Sequence, residues 1–165
     1  MTEQTAGISR RTIAKGAAWA VPVVAVAAAA PAMAASGGPP TFTPGTACKN
    51  PGNSCAVHPK GYTLPFTVTN SSPRTIYITA VTYENVVGTS LTFVYAPPPT
   101  LPITLLPGSS QVIKFNAEST NSANSVFTMD MVITWGHESD GTDHDHTPLL
   151  IPISIPGTPP DCTCP

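Results

Sequence analysis

The chain is predicted to be all-β, with about seven strands in two antiparallel sheets packed face to face. Three observations carry this. Apolar and polar residues alternate with a period of two along several segments after residue 60. Turn signals rich in Pro, Gly, Asn and Ser separate those segments. No amphipathic helical run of useful length occurs beyond the first 35 residues. One-sided alternation suits sheets with one face packed and the other solvated.

The first element is a leader. Arg10, Arg11 and Lys15 precede an apolar run from about Ala17 to Ala30, and Pro31-Ala32-Met33-Ala34-Ala35-Ser36 follows. This is the three-part layout of a cleavable signal peptide, with small residues at Ala32 and Ala34 for the peptidase. The apolar run is shorter than the roughly 20 residues a spanning helix needs. Pro22 and Pro31 weaken it further. Cleavage is expected after Ala34, which leaves no stable membrane anchor.

Ser9-Arg10-Arg11-Thr12-Ile13-Ala14-Lys15 resembles the twin-arginine translocation motif at nearly every position. The resemblance implies a twin-arginine translocase as partner during export, and folding before the membrane is crossed. The Ala-rich leader as a whole resembles those of secreted actinobacterial proteins. The expected location is secreted or extracellular, with the cell wall as one place of retention.

The expected organisation is a signal peptide at 1–34, a flexible lead-in at 35–60 with the Cys48/Cys55 loop, a sandwich at 61–156 and a Cys-containing tail at 157–165. About 130 residues remain after cleavage, the size of one domain able to bury a real core. Their fixed cations are Lys49, Lys60, Arg74 and Lys114. Eight acids oppose them: Glu84, Glu118, Asp130, Glu138, Asp140, Asp143, Asp145 and Asp161. This mildly acidic domain lacks the basic patch that nucleic acid requires, and no polybasic stretch points to anionic lipid.

Within the sandwich, Tyr62, Leu64, Phe66 and Val68 alternate with Thr63, Pro65, Thr67 and Thr69. Pro65 cannot donate to a ladder, so this strand is expected at an edge or with a bulge. Asn70-Ser71-Ser72-Pro73 is a turn. Thr75–Tyr83 is a second strand whose apolar set changes face near Ala80-Val81, the signature of a bulge. Leu91, Phe93 and Tyr95 mark a third, stopped by Pro97-Pro98-Pro99, which favours polyproline geometry.

Leu101–Leu106 is a short apolar piece before the turn Pro107-Gly108. Its Leu101-Pro102-Ile103-Thr104-Leu105 resembles a sortase signal but ends on Leu where Gly belongs, and reads as a strand fragment. Ile113, Phe115 and Ala117 form the next strand. Phe127, Met129, Met131, Ile133 and Trp135 form the clearest one. Leu149, Ile151, Ile153 and Ile155 form the last, with Pro152 marking an edge. The expected core holds Phe66, Phe127, Met129, Ile133 and Ile151.

Three stretches carry a broader likeness: Phe66–Ser72, Leu106-Pro107-Gly108-Ser109-Ser110, and Phe127–Trp135. Together they resemble the immunoglobulin-like sandwich class over about Tyr62–Ile155. No Cys pair brackets a central Trp, which departs from antibody domains.

The cysteines are Cys48, Cys55, Cys162 and Cys164, an even set for an exported chain. Pro51-Gly52 would reverse the chain and favour Cys48–Cys55. The rival is a clamp, in which Cys48 and Cys55 each take one tail cysteine. Loop entropy gives about 2.5 kcal/mol for the small ring and nearly 5 for a clamp. Spacing leaves the two pairings open.

One stretch could hold a ligand. Gly136–His146 places His137, Asp143, His144, Asp145 and His146 close together, with Glu138 and Asp140. Imidazole with carboxylate suits Zn²⁺, Cu²⁺ or Ni²⁺, and carboxylates alone suit Ca²⁺. A solvated hairpin loop is the plainer reading, because no known metal spacing matches. His58 reads as a surface residue. Asp130, facing outward mid-strand, needs a partner to do chemistry.

No Ser/His/Asp signature, phosphate loop or nucleotide fingerprint is present, so no catalytic residue is assigned. The expected function is a non-enzymatic exterior module with a structural or protein-interaction role toward an unknown extracellular partner. It needs no cofactor. The alternative is extracytoplasmic metal binding by loop 137–146.

Overall fold

The computed structural model describes residues 38–52, 60–143 and 146–163. Arg10, Arg11, Ala32 and Ala34 of the expected leader lie outside the described residues, as do Cys55, His58, His144, Asp145 and Cys164.

The described residues form nine strands and no helix. They are β1 (Thr41–Pro44), β2 (Cys48–Lys49), β3 (Gly61–Thr69), β4 (Ile76–Val87), β5 (Val94–Ala96), β6 (Ile103–Leu105), β7 (Ser110–Glu118), β8 (Phe127–Gly136) and β9 (Leu149–Ile155). One sheet runs β1-β3-β7-β5, with β2 also on β3, and the other runs β6-β4-β8-β9. All their pairings are antiparallel. The protein is an antiparallel β-sandwich, as the alternation predicts.

The strand orders follow the A-B-E-D and C-F-G arrangement of immunoglobulin-like sandwiches. They depart from it in one respect. β5, at the end of the first sheet, precedes β6, which flanks β4 in the second, in chain order. From β3 to β8 every connection crosses between sheets, and only β8 and β9 then pair as a hairpin.

The core is built from alternate positions. Phe127, Met129, Met131, Ile133 and Trp135 of β8 are all buried, as are Tyr62, Leu64, Phe66 and Val68 of β3. Phe93 stacks on Phe127 with centroids 5.3 Å apart, and Tyr62 tilts against Phe127 at 5.2 Å. Of the expected core, Phe66, Phe127, Met129 and Ile133 are buried and Ile151 packs partly buried against them. Every buried hydrophobic residue of this core lies between Tyr62 and Ile155.

Several details correct the reading of the strands. Thr41–Pro44, expected in a flexible lead-in, pairs with β3 as β1, in register from Thr41 opposite Thr69 to Pro44 opposite Phe66. β3 is therefore neither an edge nor bulged; its pairing with β7 runs unbroken from Gly61 to Thr69. Pro65 is tolerated because the strand on its other side breaks there. β1 ends opposite Phe66, β2 begins opposite Thr63, and Gly45 N–H reaches the Pro65 carbonyl at 2.8 Å. The missing proline donor faces this break, where no ladder acceptor waits.

The third strand is shorter than expected, with Leu91 and Phe93 preceding β5 as packed loop residues. The Pro97–Pro98 and Pro98–Pro99 peptide bonds are cis, unlike the trans bonds of polyproline geometry. The bulge expected near Ala80 is present, between Ile78 and Ala80. Pro152 sits on β9, an edge strand, as expected. The Leu101–Leu106 fragment supplies β6.

The cysteine alternatives separate cleanly. Cys48 bonds Cys162 across 114 positions, so the Cys48–Cys55 ring does not form. Asn50 N–H instead donates to the Gly61 carbonyl at the start of β3, at 2.9 Å.

Candidate functional site

The loop joining β8 to β9 is folded onto the end of the sandwich. Trp135 is the last inward residue of β8, and its Nε1–H donates to the Thr147 carbonyl at 3.2 Å. Gly136 follows because a side chain there would press within 3.2 Å of the Asp143 Cβ. That close approach lets Asp143 Oδ2 accept from the His137 N–H at 3.0 Å.

His137 is buried, and its Nδ1 lies 2.8 Å from the Thr75 carbonyl just before β4. A carbonyl only accepts, so Nδ1 carries the proton. His146 lies over Trp135 with centroids 4.1 Å apart, and meets the His137 ring edge-on at 5.0 Å. Its Nε2 faces Asp143 Oδ2 at 3.2 Å. Asp143 thus braces both ends of the loop.

The loop tip is ordered by its own polar residues. Asp140 Oδ1 accepts from Thr142 N–H at 3.0 Å and from Thr142 Oγ1 at 2.7 Å. Gly141, at φ 73°, turns the chain and bonds back to the Glu138 carbonyl.

Of the expected ligand set, the structure brings together His137, Asp143 and His146. They form a brace: each described contact ties the loop to β8, to Thr75 or to itself. No group of three His, Cys, Asp or Glu side chains among the described residues is placed to hold a metal ion. Two rings and a carboxylate could also move a proton; here the described partners of the rings are Asp143, Thr75, Trp135 and each other.

Asp130 does have a partner. A surface groove of about 290 Å³ is lined by Asn85, Thr128, Asp130, Pro152 and Ser154. Asn85 Nδ2 donates to Asp130 Oδ2 at 2.9 Å. Glu84 is directly opposite Asp130 on the neighbouring strand, a like-charged pair that Asn85 offsets. Asn85 reaches Asp130 from the second irregularity of β4, between Glu84 and Val87, with φ 51°. The sequence placed Asp130 outward, but this partner depends on a register shift that alternation does not encode.

Asn50, Asn70 and Asn116 are buried polar residues that sequence reasoning missed, and Asn50 lies nearest the disulfide. It is buried beside the disulfide, with its amide within 3.0 Å of Thr63 Oγ1. An isolated Asn in a Pro/Gly turn gives no signal of burial.

No protein-family model matches this chain, and no curated protein matches it in sequence.

Proposed function

We propose that this chain is an exported, non-enzymatic β-sandwich module with a structural or protein-interaction role outside the cell. The observation that supports it most is the Cys48–Cys162 bond. Structural disulfides persist in oxidising compartments, and the leader with Arg10 and Arg11 supplies a route there through the twin-arginine translocase. The non-enzymatic part is supported by the occupations of the polar clusters. Asp143, His137 and His146 brace a loop, and Asp130 is paired with Asn85.

Export is tested with Arg10→Lys/Arg11→Lys. The paired substitution is expected to hold the full-length precursor inside the cell. Unchanged appearance of a shortened protein in the medium would remove the twin-arginine route. Turnover in a broad hydrolase screen of the exported protein would remove the non-enzymatic reading. Crosslinking on intact cells identifies the extracellular partner.

A further inference from the structure

The tail after β9 crosses back to the start of the sandwich. Lys49 and Asp161 form a parallel bridge, with Lys49 N–H on the Pro160 carbonyl and Cys162 N–H on the Lys49 carbonyl, each at 2.8 Å. The Cys48–Cys162 disulfide closes this contact. Residues 157–163 bury no side chain fully and contribute none to the core.

The disulfide also anchors a buried polar chain. The Asn50 amide lies 3.3 Å from Cys162 Sγ and 2.9 Å from Thr63 Oγ1. A disulfide sulfur has no proton, so that contact is donated by the amide nitrogen. Thr63 Oγ1 has one proton, and the Asn116 amide oxygen lies 3.0 Å away to receive it. Orienting Asn50 with Nδ2 toward Sγ and Thr63 gives both a donor and leaves Oδ1 in the buried position that has no partner among the described residues. Asn116 Nδ2 then donates to the Pro98 carbonyl at 2.6 Å.

We propose that Cys48–Cys162 is a redox latch. Closed, it docks the tail on β2 and completes the polar chain through Asn50. Open, it frees residues 157–163 while both sheets stay folded. Two backbone hydrogen bonds do not offset the entropy of ordering seven residues, so the covalent bond holds the tail. The sheets do not need it, because their buried core lies between Tyr62 and Ile155 and the segment before it adds only the partly buried Phe42 and Ala47.

Opening is thiol–disulfide exchange. Both cysteines are half-buried and so open to attack. A thiolate of a dithiol reductant attacks one sulfur and breaks the S–S bond. The reductant's second thiol resolves the mixed disulfide. Two electrons and two protons pass to the protein, giving two cysteine thiols and the oxidised, disulfide form of the reductant. Closing runs the same exchange in reverse against an external disulfide. The latch stands on described residues alone and is independent of the export reading.

The test is amide hydrogen exchange by NMR on the full chain, oxidised and then treated with dithiothreitol. The Lys49 and Cys162 amides are expected to exchange at least tenfold faster on reduction, while those of β4 and β8 keep their protection. Cys48→Ala/Cys162→Ala should show the same pattern without reductant, which separates this bond from Cys55 and Cys164. Unchanged protection at Lys49 and Cys162 would show that the bond does not hold the tail. Loss of protection throughout β4 and β8 would show that it supports the whole fold. Either result overturns the latch.

Discussion

Asn70 makes four side-chain contacts with the backbone. It is fully buried, and its Nδ2 faces the carbonyls of Arg74, Leu105 and Leu106 at 2.8–3.2 Å. Its Oδ1 accepts from Ser72 N–H at 2.9 Å. One amide thus ties the β3–β4 turn to the end of β6 across the sandwich. Asn70→Ala removes the amide donor to those carbonyls and the acceptor of Ser72 N–H, and is expected to cost about 3 kcal/mol, measured by urea unfolding.

The tyrosines make a second prediction at this scale. Burial pushes the phenols of Tyr62, Tyr83 and Tyr95 above their ordinary value. For Tyr62 a backbone hydrogen bond with Ala123 partly opposes this, and for Tyr83 the neighbouring Tyr95 adds to it. Below a pH of about 10 both folded and unfolded chains hold these protons. Above it the unfolded chain ionises first, so stability is present below that pH and falls as pH rises toward the folded values. Circular dichroism should show loss of the fold together with the rise in tyrosinate absorbance. Ionisation of more than one of the four tyrosines at pH 10 in a still-folded protein would contradict the burial.

At the scale of elements, Asp143 holds the β8–β9 loop through both histidines. Asp143→Ala removes acceptors from His137 N–H and His146 Nε2. It is expected to cost about 1–2 kcal/mol and to release the His146 ring from Trp135, seen as a change in Trp fluorescence. Zn²⁺ or Cu²⁺ is expected to leave the melting temperature of the unmodified protein unchanged. A rise that depends on metal concentration would return the loop to the metal reading, since a ligand of the native state stabilises it.

Edge strands show why proline is so frequent. β9 contains Pro152, β1 ends on Pro44, β5 runs into Pro97, and Pro102 precedes β6. Each of these four strands lies at the end of a sheet path, where a missing donor blocks pairing with another chain. Period-two alternation made the strands legible one by one. The exception at Pro65 shows the limit. A proline can be read as unable to donate, but only the placement of β1 and β2 reveals an interior strand with a local gap beside it.

Across the whole molecule, the disulfide links residues 114 positions apart. A loop of that length implies about 4–5 kcal/mol from restriction of the unfolded chain. Removing the bond should lower the denaturant midpoint by that stability, with little change in slope if the sheets still unfold together. The alternation of sheets from β3 to β8 also makes most strand pairings non-local, which places folding toward the slow end for a domain of this size. Stopped-flow refolding of the oxidised protein measures that rate.

The sequence by itself determined the class of fold, the inward set of β8 and β3, the bulge in β4 and the edge position of β9. These follow from period, turn chemistry and the proline N–H, all local properties of the chain. Tertiary structure alone decided that Cys48 meets Cys162, that Asn85 reaches Asp130, and that Asn50 and Asn70 are buried. Those outcomes depend on which strands lie side by side and where register shifts. Many pairings satisfy the same alternation, and only packing of the two sheets selects among them.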